Sequence, residues 1–276
     1  MHLGVLLRHL GPHTDVDAVR AAARSADILG YHSLWAVDPR LAPSPMAGGP
    51  PSGLAPVTAL IEAAACTERV QLGLHLSAGH GNVSGSDPSA LAELPPALAR
   101  RLTVALDVGD LGIDGSAPDG RTSNGAGFDA GPDDAAVLTA LRAMRPRVRS
   151  VLLSTRSPDR WGRFAALVDG WFLTSAPHGH ADVSWRTVVT AAVADAFDAT
   201  KVSLVVRADV VLADRPLSRH RSTFCGSVEQ VVDDLLEVET MGANVVVLAV
   251  ARCRHLDEVL GGYAAIAEGL ELRSSS

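Results

Sequence analysis

In this 276-residue chain, short apolar runs repeatedly end on residues able to do chemistry. Asp38 closes the run Ser33 to Val37, where a carboxylate can transfer a proton, touch a cofactor or brace the next loop. Its neighbour Pro39 can neither titrate nor donate. A second run, Thr103 to Val108, exits through Gly109 and Asp110, and strand alternation puts Asp107 and Gly109 on one face. Ser154, Thr155, Arg156 and Ser157 stand immediately before Pro158, a favoured first residue of a helix. Hydroxyls, a guanidinium and free N–H groups there make an anion site, or else Ser157 is an ordinary cap. Thr174 and Ser175 add hydroxyls at the end of a further run. His75, inside an apolar run, reads equally as a site residue or a satisfied core histidine. His80, in the loop after it, is an acid–base candidate or an exposed loop residue. His178 and His180 lack metal-ligand spacing, and no metal is expected.

The elements that would position these groups alternate. Strands are expected at His2 to Leu7, Ser33 to Val37, Val70 to Leu76, Thr103 to Val108, Ser150 to Ser154, Trp171 to Leu173, Val202 to Leu212 and Val245 to Val250. Between them, helical spacing of apolar residues marks Asp15 to Leu29, Pro56 to Cys66, Pro88 to Arg100, Asp133 to Met144, Pro158 to Val168, Trp185 to Phe197 and Ser227 to Met241, with Leu256 to Leu270 closing the count. Eight β/α units in one chain of this length imply an α/β fold, a (β/α)8 TIM barrel over residues 1–276, with functional groups at the C-terminal strand ends. The glycine- and proline-rich loops 39–55 and 109–132 follow the second and fourth strands and are candidate lids at that mouth.

Composition narrows the function classes. A hydrophobic content of 47% with 20% charged residues supports a buried core. The net charge of −7 and the absence of a basic run argue against nucleic acid as a partner. No apolar stretch is long enough for a membrane span and no leader pattern is seen, so a cytoplasmic protein is expected. Three scattered cysteines, Cys66, Cys225 and Cys253, suit reduced thiols. Lys201 is the only lysine, and with abundant alanine this suggests a GC-rich, actinobacterial source.

Five ordered segments resemble the luciferase-like monooxygenase superfamily, which includes F420-dependent oxidoreductases. They are GYHSLWAVDPR, PVTALIEAAACTERVQLGLHL, RRLTVALDVGD, AALVDGWFLTSAP and CGSVEQVVDDLLEVETMGANVVVL. The resemblance implies a luciferase-like (β/α)8 barrel, a flavin- or F420-dependent oxidoreductase acting on a small organic substrate, and a homodimer. Coenzyme F420 is the first choice and FMN the second. It also implies a non-proline cis peptide at His75–Leu76 beneath the cofactor ring, a cofactor contact at Gly109, and a proton donor at Asp110. The phosphate would lie over Ser154 to Ser157.

The departures fall at the same mouth. The family histidine after Asp38 is Pro39, strand-four glycines are Ala105 and Asp107, and the strand-five glycine pair is replaced by Ser154-Thr155-Arg156. These changes support a second expectation, a barrel that binds no cofactor and serves as a small-molecule-binding or structural subunit. An unrelated hydrolase using Asp38, His80 and Asp110 is the third.

Overall fold

The computed structural model describes residues 1–10, 14–41, 53–78, 91, 94–109, 133–155, 157–174, 202–218, 220–250 and 256–274. Within them the strands are β1 (His2–Leu6), β2 (Ser33–Val37), β3 (Gln71–Ser77), β4 (Leu102–Asp107), β5 (Ser150–Ser154), β6 (Gly170–Thr174), β7 (Ser203–Leu212), β8 (Cys225–Gly226) and β9 (Val245–Val250). The pairing runs β1 through β7 in order, then β7 to β9 and β9 back to β1, all parallel. That is a closed parallel barrel of eight strands, with β8 a two-residue extension on the end of β7. Closure removes the exposed sheet edge that an open arrangement would carry.

The helices are α1 (Val16–Ile28), α2 (Pro56–Ala64), α3 (Pro96–Ala99), α4 (Asp134–Met144), α5 (Pro158–Phe164), α6 (Val228–Thr240) and α7 (Leu256–Ser274). Local chemistry explains their ends. Asp15 caps α1 by accepting from Ala18 N, and Asp133 caps α4 by accepting from Ala136 N. At the start of α6, Gln230 Oε1 reaches back to accept from the Ser227 N–H at 3.2 Å. Helix α3 is far shorter than the expected Pro88 to Arg100. Pro96 disfavours helical backbone at Pro95, so the helix starts at Pro96. Helix α5 likewise stops at Phe164 and passes into a single tighter turn, Ala165–Leu167. The expected helix Trp185 to Phe197 and most of both candidate lids lie outside the described residues.

Side-chain alternation separates two cores. Leu34, Leu72, Leu74, Leu76, Val104, Leu106 and Leu153 face outward against the helices, whose buried stripes include Val19, Ala23, Leu60, Val137, Leu141, Val231 and Leu235. Inside the barrel lie Leu6, Trp35, Val37, Ala105, Leu152, Phe172, Val205, Val247 and Ala249. Trp35 fills the centre. Its indole lies over Gly73, where a Cβ would come within 2.1 Å of the ring. Its Nε1 donates to Ser33 Oγ at 3.0 Å, and its ring centroid is 5.0 Å from that of Phe172. The barrel interior is therefore packed through its middle, and polar side chains collect above it.

Candidate active site at the barrel mouth

Register brings the polar groups together. In β3, His75 pairs with Ala105 and Val37, while Ser77 one step higher pairs with Asp107, which in turn pairs with Ser154 of β5. His75 therefore sits one inward-facing position below Asp107, with Phe172 packed on its ring at 4.5 Å. The Asp107 carboxylate is held by two donors: Ser154 Oγ reaches Oδ2 at 2.9 Å, and Gly109 N reaches Oδ1 at 3.0 Å. His75 Nε2 stands 3.8 Å from Oδ2, beyond hydrogen-bonding distance. Neither ring nitrogen of His75 has a hydrogen-bond partner, although the residue is buried.

Electrostatics keeps this pair uncharged on one side and charged on the other. Burial lowers the His75 pKa, with Asp107 pulling the other way without offsetting it, so the imidazole is neutral near pH 7. Burial opposes the Asp107 carboxylate as well, but His75, Ser154 and the Gly109 N–H together hold its pKa below the ordinary value.

Asp38 is fully buried at the end of β2 and is gripped by Arg40. Arg40 Nη2 donates to Oδ2 at 2.6 Å, while its Nε and backbone N both donate to Oδ1. Ser77 N approaches Oδ2 at 3.5 Å. The geometry is that of a loop-bracing carboxylate within electrostatic reach of His75.

The turn after β5 is knitted together locally. Thr155 Oγ1 accepts from Ser157 N at 3.1 Å, and Ser157 Oγ caps α5 by accepting from Arg160 N. Trp171 Nε1 fastens the turn from below through Thr155 O at 2.7 Å. Thr174 closes β6 at the same end of the barrel, paired with Arg207. Gly109 adopts a positive φ (61°), a conformation glycine takes without strain, just past the end of β4. Asp110, His80, Arg156 and Ser175 lie outside the described residues.

One expectation is corrected. No peptide bond among the described residues is cis, so His75–Leu76 is trans. Strand β3 continues through both residues in ladder with its neighbours, and His75 O accepts from Asp38 N at 2.8 Å. Leu76 turns its side chain outward into the helix-facing core, leaving only backbone toward the mouth.

Three buried cationic or imidazole residues were not anticipated. Arg160, near the start of α5, donates to Val108 O at 2.9 Å and Gly109 O at 2.7 Å, clamping the exit of β4. Arg207 crosses the barrel top, donating to Leu41 O at 2.8 Å and pairing with Asp209. A charge in the middle of the apolar strand SLVVRADVVL was a readable signal for it. His9 follows β1 and ties Leu54 to Val37.

No protein-family model matches the chain, and no curated protein matches it in sequence. Solved structures do. A monooxygenase from Streptomyces bottropensis, RslO1, aligns at TM-score 0.70 with 19% identity, covering 99% of this chain and 100% of its own. The coenzyme F420-dependent tetrahydromethanopterin reductase of Methanopyrus kandleri aligns at 0.66 with 12% identity, over 98% and 97% of the two chains. The oxygenating constituent of 3,6-diketocamphane monooxygenase from Pseudomonas putida, solved with FMN, aligns at 0.64 with 12% identity over 98% of each chain. At these identities the likeness is one of fold. The described residues thus form the closed (β/α)8 barrel fold that these structures share.

Proposed function

We propose that the protein is a luciferase-like oxidoreductase that binds a flavin-type cofactor and acts on a small organic substrate at the C-terminal mouth of its barrel. The observation that carries this reading is the polar cluster His75–Asp107–Ser154 at the mouth, where barrel enzymes place their chemistry. The orphaned, buried nitrogens of His75 fit such a cofactor, because the polar edge of a flavin or deazaflavin ring offers both donors and acceptors. When bound, the cofactor supplies hydride transfer or oxygen activation. The chain's own part is to orient and to handle protons. Trp35 and Phe172 close the barrel beneath the site and exclude water from below. Burial keeps His75 neutral, so it offers one hydrogen-bond donor and one acceptor rather than a charge. Arg160 fixes the backbone from which Asp110, the proton donor by resemblance, departs. Thr155, Arg156 and Ser157 would face the phosphate. We place F420 ahead of FMN, in a cytoplasmic homodimer.

A second reading is a barrel that binds small molecules without redox chemistry. It is favoured by the turn after β5, where the hydroxyls of Thr155 and Ser157 serve local hydrogen bonds and that of Ser154 donates to Asp107. Separate titrations of the purified protein with F420 and FMN, followed by absorbance and fluorescence, decide between them. Saturable binding of either supports the oxidoreductase. Binding of neither replaces it with the second reading.

A further inference from the structure

The gap between His75 and Asp107 has a chemistry of its own, independent of any cofactor. Asp107 is immobilised by Ser154 Oγ on Oδ2 and Gly109 N on Oδ1. His75 is immobilised by Phe172 on its face and by β2 and β4 on either side. Between them, Nε2 and Oδ2 are 3.8 Å apart, too far for a direct hydrogen bond. Both are nevertheless close enough to share one oxygen at hydrogen-bonding distance from each. Buried polar groups are almost always satisfied, and His75 is left with neither nitrogen paired.

We propose that His75 Nε2 and Asp107 Oδ2 form a seat for a single hydroxyl oxygen, which accepts from the imidazole N–H and donates to the carboxylate. A neutral imidazole carries one donor and one acceptor, and a carboxylate only acceptors. With the proton on Nε2, the pair presents one donor beside one acceptor, the complement of an O–H group. A carbonyl would oppose Asp107 and an ammonium would oppose the Nε2 proton. The surrounding charges agree with this assignment. Arg40 neutralises Asp38, Asp209 neutralises Arg207, and Asp107 remains as the carboxylate facing the imidazole. The hydroxyl comes from water at rest and from a ligand alcohol when one is present.

A crystal structure of the protein alone, at about 1.2 Å or better, tests the seat. The expected result is one oxygen within about 3.2 Å of both Nε2 and Oδ2. A second crystal grown with 2-propanol distinguishes the sources. Displacement of the water by the alcohol oxygen assigns the seat to ligands, and persistence of the water assigns it to a structural solvent molecule; either upholds it. Nε2 and Oδ2 drawn together into a direct bond with no third atom overturns it. In solution, the imidazole 15N shifts of His75 should show a neutral ring protonated on Nε2 at pH 7. A doubly protonated ring, or a proton on Nδ1, overturns the assignment. The variant His75→Phe keeps the contact with Phe172 and should lose the oxygen; an oxygen unmoved on Asp107 in that variant also overturns it. None of these readouts requires a cofactor, so the seat can stand where the oxidoreductase reading fails.

Discussion

His9 accepts the backbone N–H of Val37 through Nε2 at 3.1 Å, while its Nδ1 bonds the carbonyl of Leu54 at 2.9 Å. One buried imidazole thus joins the exit of β1, the last residue of β2 and the segment entering α2. This bonding requires the neutral tautomer with its proton on Nδ1. His9→Leu strands an N–H and a carbonyl, and should lower unfolding stability by about 1–3 kcal/mol. Denaturant titration measures it.

Acid should destabilise the fold in two windows. Burial lowers the pKa of both His9 and His75 in the folded state. The unfolded chain therefore takes up protons below about pH 6.5 that the folded chain refuses. Stability is unaffected above that value and falls below it, by up to about 1.4 kcal/mol per pH unit for each histidine. Asp107, whose folded pKa is depressed, adds a further loss as pH drops below about 4. Replacing His9 and His75 with Gln should make the upper window shallower, with His32, whose pKa burial also lowers, supplying part of what remains. The lower window should weaken too, because His75 helps hold the Asp107 pKa down. Stability measured by denaturant from pH 8 to pH 4 would show a flat upper window in the wild type if these assignments are wrong.

Breaking the Asp38–Arg40 pair should be asymmetric. Asp38 is fully buried and Arg40 is 34% exposed, so losing the arginine leaves a carboxylate without its cation inside the protein. Arg40→Ala should cost about 3 kcal/mol, toward the low end for a broken buried pair because Arg40 is partly solvated. The double change Arg40→Ala with Asp38→Asn should recover part of that loss. A double change no better than Arg40→Ala alone would place the value of Asp38 in its other contacts.

Two glycine substitutions should act in opposite directions. Gly73→Ala drives a methyl into the Trp35 indole and should destabilise by about 1–3 kcal/mol or more. Gly162, inside α5, has open space where a Cβ would stand, and Gly162→Ala should stabilise by about 0.4–1 kcal/mol. Paired thermal melts of the two variants read both signs at once.

The proposed homodimer predicts a mass of twice 28.7 kDa in light scattering at micromolar concentration. Ile28, at the end of α1, is 80% exposed, and Ile61 on α2 is 40% exposed. A monomer alone removes that part of the proposal.

Strand positions were legible because both faces of each barrel strand are buried, so runs such as SLWAV and VVVLAV stand out against polar turns. Helix starts were legible wherever a cap residue announced them, as at Asp15, Asp133 and Ser227. The length of α3 was not, because a run of helix-compatible residues precedes the adjoining prolines at 95 and 96, which set the boundary. At the site, Asp38 and Ser154 could be placed at the mouth from strand ends alone, whereas His75, inside its run, read equally as a core histidine. Their partners could not: Arg160 reaches Gly109 across 51 positions of sequence, and Arg207 reaches Leu41 across 166. Such bonds come from barrel closure, which local spacing does not encode. The resemblance carried the fold and misplaced the backbone at His75–Leu76, where a large imidazole stands in a continuous strand.

The position of Trp35 gives the molecule an optical asymmetry. The other two described tryptophans, Trp161 and Trp171, belong to the layer between strands and helices, whereas Trp35 alone of the three lies inside the barrel. A variant retaining only Trp35 would emit from directly beneath the mouth, with Phe172 packed against both its indole and the imidazole of His75. Its fluorescence would follow events at the mouth while remaining silent to rearrangements among the outer helices.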